Sequence, residues 1–402
     1  MFDRIGPYHF ARLRTIGKLI STVAIEMTAT DKTYEWDLVE GAENFQRVTL
    51  FTPSEPGLRS ASEVRRRVHA SLEKCCPKVV AVPGWSDRGA ISALEWCVSS
   101  SVPAVVMSDS TEWDYERFFG KEWVKRKLLC LAAAGFVAGT PHAEYLQTLG
   151  MAPDRIFPGY DAVDNNHFRQ GADAARLQEV ELRKKHILPQ NYFLASARFV
   201  EKKNLARLIH AYATYRACSS NPENGESPAE TWELVLLGDG PLRPELSRQI
   251  DALGLKEHVF MRGFKQYAEL PVFYGLARAF IHASTTEQWG LVVNEAMASG
   301  LPVLVSNRCG CAMDLVREAS TGFTFDPFNT KQMADLMIRC SKEPEDLVDI
   351  GKAAQSMISN WGLDRFTGGL MQAVEKSVES QPPKASLANR LLIKLLLLHN
   401  GQ

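Results

Sequence analysis

The chain has 402 residues, enough for two domains of ordinary size, each with its own core. Hydrophobic residues make up 45% and charged residues 23%, the balance of a globular protein rather than a disordered or fibrous one. A formal net charge of -1 gives no global electrostatic case for nucleic acid, and no apolar run approaches the roughly 20 residues of a membrane-spanning helix.

In chain order, short apolar strands alternate with helical stretches, the pattern of parallel α/β sheets. The first half reads as strands at 48–51, 79–82, 104–107 and 135–138, with helices over 62–75, 91–99 and 118–131 between them. Arg183-Lys184-Lys185, followed by Leu188-Pro189, reads as a linker. It divides the chain into a first domain at 1–188, a second at 189–360 and a helical tail at 361–402. A second series of strands follows at 192–195, 234–237, 259–261, 279–281 and 303–305. The polar, Pro/Gly-rich segment 219–228 reads as a mobile surface loop. Two consecutive doubly wound domains facing a cleft are the simplest architecture.

Chemistry concentrates in the second half. Arg198 and Lys203 directly follow its first strand, beside a helix start, where two cations suit an anionic diphosphate. Lys202 is the neighbour that spacing disfavours. Gly238-Asp239-Gly240-Pro241 ends another strand and is adequately explained as a turn. Glu287 and Glu295 stand in a strand–loop–helix unit, with Gly290 between them and Gly300 stopping the helix read at 294–299. Such loops, at the carboxyl ends of strands, are where open α/β sheets bind ligands. A carboxylate there accepts hydrogen bonds from sugar or ribose hydroxyls. Taken singly, each glutamate has a plain alternative, an exposed loop acid or a helix-start carboxylate.

The stretch around Glu287 and Glu295, closing on Ala296-Met297-Ala298-Ser299-Gly300-Leu301-Pro302-Val303, resembles the E-x7-E signature of retaining family 4 glycosyltransferases. That resemblance covers most of residues 100–375 and implies the GT-B fold: an acceptor-side domain first, a nucleotide-sugar domain second, and a C-terminal helix crossing back to the first. It implies a sugar donor activated by a nucleoside diphosphate and a saccharide or lipid-linked acceptor, with no cofactor. Arg198 and Lys203 would grip the leaving diphosphate, and Glu287 would contact the transferred sugar. Glu295 would bond the ribose, while Trp289, Gly290 and Leu291 would offer backbone amides to sugar and phosphate. Gly263 and Phe264, in the loop after the strand at 259–261, would lie against the base. The segment from Cys309 to Val316 resembles the family's Gly-rich turn, whose amides line the sugar site. Retention by front-face attack requires no protein nucleophile. The resemblance implies a hexosyltransferase, and the absence of an Asp-x-Asp triplet fits the metal independence expected of a GT-B enzyme.

The first half is less legible. Gly6 and His9 resemble the family's first glycine loop and helix, which faces the cleft, although a lone His is more often a packed or exposed helix residue. Only residues 1–3 precede that loop, so the first strand is expected to be short or missing. Asp109 or Glu112 is placed either at an acceptor hydroxyl or in a helix-capping loop. Eight cysteines without paired spacing, and no signal peptide, point to a cytoplasmic chain with reduced thiols. Basic groups at 65–67 and 121–127, and a tail carrying Arg390 and Lys394 among leucines, leave two readings open. One is helix packing, which is favoured; the other is peripheral contact with an anionic membrane. The rival functions are a nucleotide-sugar epimerase, a phosphorylase, or a GT-B relative that binds a nucleotide sugar without turnover, acting as a partner subunit.

Overall fold

The computed structural model describes residues 1–29, 36–39, 41–52, 60–220, 230–380, 383 and 385–399. Residues 221–228 of the expected surface loop lie outside the described residues, as does Lys384 in the tail. The chain forms two compact units, Met1–Ala162 with Leu363–Gln402, and Val163–Gly362.

The first unit contains α1 (Pro7–Ile16), β1 (Val23–Thr28), β2 (Gln46–Phe51), α2 (Ala61–Cys75), β3 (Val80–Pro83), α3 (Arg88–Ser100), β4 (Ala104–Ser108), α4 (Phe119–Leu129), β5 (Ala134–Val137), α5 (Thr140–Thr148) and β6 (Ile156–Pro158). Strands β3-β4-β5-β6 form one parallel sheet, and β1-β2 form a parallel pair. β4 is buried at all its positions, as expected of a strand covered by helices on both faces.

The missing first strand is present in miniature. Phe2 pairs in parallel with Glu26 of β1, and the Met1 nitrogen donates to Ala81 O of β3 at 2.9 Å. Residues 1–3 therefore stand between the pair and the four-stranded sheet. Glu26 is fully buried there, with its carboxylate satisfied by the Ile5 amide, Arg47 and Thr49 at 2.7–3.0 Å. Those bonds offset the cost of burying the charge and fix the loop that leads into α1.

The second unit contains α6 (Asn165–Leu177), α7 (Glu179–His186), β7 (Tyr192–Ser196), α8 (Leu205–Ser220), β8 (Glu233–Leu237), α9 (Arg243–Ala252), β9 (Val259–Met261), α10 (Leu270–Gly275), β10 (Ala279–His282), α11 (Leu291–Ala298), β11 (Val303–Ser306), α12 (Ala312–Leu315), β12 (Gly322–Phe325), α13 (Thr330–Lys342) and α14 (Pro344–Ser359). Its sheet is wholly parallel, in the order β12-β11-β10-β7-β8-β9. The chain runs outward from β7 through β8 and β9, then starts again on the other side of β7 with β10. The topological switch point of this sheet thus lies between β7 and β10.

One boundary and the linker differ from the sequence reading. The break between units falls at 162/163 rather than 188/189, because α6 packs on α10 and α11 of the second unit. Arg183-Lys184-Lys185 is the last turn of α7 and not a linker. Cations favour that end of a helix, and Arg183 also donates to Glu179 at 2.8 Å and to Leu276 O at 2.9 Å. The chain then returns to the first unit through α15 (Leu363–Glu379) and α16 (Leu387–His399). Phe366, Leu370 and Ala373 of α15 enter the core built around Met107 and Phe136.

Candidate active site

The loops on either side of the switch point are tied together by backbone and by one asparagine. After β7 the chain makes a single 3-10 turn, Glu201–Lys203, ended by Asn204 in the left-handed region at φ 59°. The Asn204 amide donates to Ala283 O at 3.0 Å and Pro327 O at 2.8 Å, joining the loops that follow β7, β10 and β12. Thr285 N donates to Lys202 O at 2.8 Å. The chain between β10 and α11 also pairs with the turn after β11. Glu287 N donates to Arg308 O at 3.2 Å, and Gly310 N to Glu287 O at 3.0 Å.

This scaffold sets Lys203 against Glu287 in an ion pair, with both side chains largely covered. His282 Nε2 lies 3.2 Å from the same Glu287 oxygen, and Ser284 Oγ donates to it at 3.3 Å. Burial pushes the Glu287 carboxyl up, but Lys203 and the His282 hydrogen bond outweigh it and hold the group well below the usual carboxylate range. Burial and the Lys203 charge together keep the His282 ring below its ordinary value, against the pull of Glu287. A neutral imidazole beside an ionised carboxylate must donate from Nε2, which fixes the tautomer. One carboxylate oxygen thus gathers an ammonium, an imidazole and a hydroxyl at the carboxyl end of β10.

Gly290 caps α11 at φ 103°, a conformation L side chains rarely adopt, and a Cβ there would stand 3.5 Å from Glu287 Cγ. α11 starts at Leu291, three residues before the sequence reading, so its first turn is beside the Glu287 loop. Trp289 is buried, with Nε1 bonded to Asn294 at 2.9 Å and its ring stacked on Trp361. Glu295 is 0% exposed and accepts from Tyr274 Oη of α10 at 2.7 Å. Its carboxylate lies where α10 packs against α11. The amides of Gly310 and Cys311 are also engaged, with Glu287 O and Trp289 O, and do not line an open sugar site.

The remaining expected residues are spread more widely. Arg198 is exposed in the loop after β7, beside Phe199, whose amide donates to Asp239 O at 2.8 Å. Gly238 permits that approach, since a Cβ on it would meet Ala197 O at 1.9 Å. Gly263 follows β9 at φ 73°, its carbonyl accepting from Gly238 N at 2.9 Å, and Phe264 is half-buried beside it. Gly6 and His9 belong to the other unit. His9 Nδ1 accepts the Gly6 amide at 3.4 Å, and burial followed by the Arg12 charge pushes the ring down to about 3. It acts there as a neutral helix-capping group. Asp109 follows β4 in that unit, where burial and then the charge of Asp161 push its carboxyl up to about 7. Asp161 in turn pairs with buried Arg12 at 3.3 Å. Glu112 is exposed.

Sequence reasoning missed His282, Ser284, Asn204 and Tyr274. A signal existed only for His282, a polar residue closing the buried apolar strand Ala279-Phe280-Ile281.

Comparison with known proteins points to the same unit. Residues 178–357 match the model of the family Glycosyl transferases group 1. An alpha-D-kanosaminyltransferase of Streptomyces kanamyceticus is 34% identical over 113 residues, which cover 28% of this chain and 29% of that protein. The alpha-monoglucosyldiacylglycerol synthase of Acholeplasma laidlawii is 28% identical over 160 residues, 40% of this chain and 37% of the relative. A GDP-mannose-dependent alpha-(1-6)-phosphatidylinositol monomannoside mannosyltransferase of Mycobacterium tuberculosis is 26% identical over 246 residues, 58% and 59% of the two chains. The alignments therefore span less than two thirds of the length of these curated relatives. In fold, the chain is similar to Anabaena HepE, solved in complex with UDP and glucose, with a TM-score of 0.69 over 93% of this chain and 98% of that one at 18% identity. It is also similar to WaaG, a glycosyltransferase involved in lipopolysaccharide biosynthesis, with a TM-score of 0.63 over 94% and 98% at 14% identity. The fold is GT-B.

Proposed function

We propose that this chain, whose residues 178–357 match the model of the glycosyl transferases group 1 family, is a retaining glycosyltransferase acting in glycoconjugate or polysaccharide assembly. Its donor is a nucleoside-diphosphate sugar and its acceptor a saccharide or lipid-linked hydroxyl. The observation that carries the reading is the Lys203–Glu287 pair at the switch point between β7 and β10. An ammonium and a carboxylate held together there match the two needs of the reaction, charge for a leaving diphosphate and an acceptor for sugar hydroxyls.

In the proposed reaction, Lys203 exchanges Glu287 for a phosphate oxygen when the donor binds. Arg198, exposed in the same loop, adds a second cation, so the two take the place of a divalent metal at the diphosphate. Glu287, freed from Lys203, stays oriented by His282 and Ser284 and accepts from the sugar. The bond from anomeric carbon to phosphate oxygen breaks as the acceptor oxygen attacks from the same face. The acceptor's proton passes to the leaving phosphate oxygen, which leaves the anomeric configuration unchanged. The start of α11, with Trp289, Gly290 and Leu291, supplies amides to the sugar and phosphate. Gly263 and Phe264 flank the base, and Glu295 reaches the ribose by exchanging its bond to Tyr274.

Thermal-shift screening of the purified chain against a panel of nucleotide sugars tests the reading, because a donor well above its dissociation constant stabilises the folded state. The expected result is one donor that raises the melting temperature of the wild type and not of Lys203→Ala, and whose transfer is indifferent to EDTA. No response to any donor, with no sugar transferred, would remove the assignment.

A further inference from the structure

Helices α4 and α16 of the first unit share a core and leave their outer faces apolar. Leu128 and Val124 of α4 pack in the same cluster as Ile393 and Leu397 of α16. On the far side of α16, Leu387 and Leu398 are 87% and 78% exposed, with Leu391 and Leu395 exposed between them. These leucines repeat at helical spacing and form one stripe, flanked by exposed Arg390 and Lys394. On α4, Phe119 is 89% exposed and Trp123, one turn on, is exposed with it. Arg126 and Lys127 follow Trp123 on that face, and the Lys127 ammonium lies 5.7 Å from the Trp123 ring. Just before the helix, Phe118 is exposed with the Lys121 ammonium 5.6 Å from its ring, and Tyr115 is exposed too.

With Ile393 and Leu397 buried and Leu396 half-buried against the same core, α16 is neither wholly packed nor free. Large apolar side chains this exposed, on two helices that meet, mark a contact surface. We propose that this face lies on an anionic lipid bilayer, with the leucines and aromatics entering the acyl boundary and the cations meeting the headgroups. The charge pattern selects that occupant. Five exposed or half-buried cations (Lys121, Arg126, Lys127, Arg390 and Lys394) rim the apolar residues, and no acid follows Glu379 in the sequence. Glu122, the acid within α4, is turned to Lys125 and Tyr145. Exposed Glu112 and Glu116 stand before the helix, and exposed Glu73 lies on α2, which also packs against α16. A two-fold contact with a second copy would set this cationic rim against itself. A basic amphipathic face with Trp and Phe at its centre is what interfacial binding requires. No helix among the described residues is long and apolar enough to cross the membrane, so the mode is lying on it. The proposal is independent of the donor-site reading.

Flotation of the full chain with mixed phosphatidylglycerol and phosphatidylcholine vesicles, against phosphatidylcholine alone, tests it. The wild type should float with the anionic vesicles and be released by salt. Phe119→Ser with Trp123→Ser, and separately Leu391→Ser with Leu395→Ser, should each weaken partitioning about tenfold at an unchanged melting temperature. Absence of flotation with anionic vesicles, or flotation of both variants like wild type, overturns the proposal. So does a dimer in light scattering that the same variants dissociate and vesicles fail to compete.

Discussion

Lys203 and Glu287, 84 residues apart in the chain, form a largely covered ion pair that the switch point between two parallel strands brings about. Removing one partner leaves the other charge covered and uncompensated, which costs about 3–5 kcal/mol in comparable pairs. Lys203→Met and Glu287→Gln should therefore each destabilise by about that much, and the double variant by less than their sum. Urea unfolding of the four proteins checks the coupling. Because the Glu287 carboxyl is held below its unfolded value, its contribution is present above about pH 4.3 and lost as pH falls through the folded value. Turnover should fall by about 10²–10³-fold in each single variant.

His282 should act through Glu287 rather than on substrate. Its ring is buried neutral, so below about pH 6.5 the unfolded chain takes up a proton that the folded chain refuses. Stability then declines as pH falls from that point toward the folded value. His282→Gln keeps a donor without a titrating group and should flatten this slope while retaining most activity. His282→Ala should lower kcat by about tenfold or more, since a positioned donor is lost from the carboxylate. Melting temperature against pH, with kcat and KM measured apart, separates the two variants.

Tyr274→Phe removes the hydrogen bond to fully buried Glu295 and should destabilise by about 1–3 kcal/mol. If Glu295 exchanges Tyr274 for ribose, this variant binds nucleoside diphosphate at least as well as wild type. Glu295→Ala should lose both stability and binding. Calorimetric titration with the diphosphate decides between exchange and a purely structural pair, which would leave binding in Glu295→Ala intact once it is folded.

Asp109 carries the opposite sign. Its carboxyl is pushed up to about 7, so its neutral form is favoured in the folded state. The associated stability is fully present below the unfolded value and is lost as pH rises through about 7. Asp109→Asn should match wild type near about pH 4 and melt about 2–4 °C higher or more near about pH 8. A variant that melts lower than wild type at both ends would show that the charged form is the stabilised one.

The sequence by itself determined the alternation of strands and helices, because continuous apolar runs such as Ala104-Val105-Val106-Met107 can be satisfied only inside a covered parallel sheet. It also determined that Arg198, Lys203, Glu287 and Glu295 follow strand ends, since local turn chemistry sets strand ends. Only the tertiary structure decided the rest. Strand order is non-local, and it placed β10 beside β7, so the turn after β7 that carries Lys203 meets the Glu287 loop. The neighbours His282, Ser284 and Asn204 acquire meaning only when three loops converge. Packing turned Glu295 inward to Tyr274 and drew α6 and α7 into the second unit. A sequence records which groups stand near a strand end. Which of them share one carboxylate depends on contacts between distant segments, and those exist only in the folded chain.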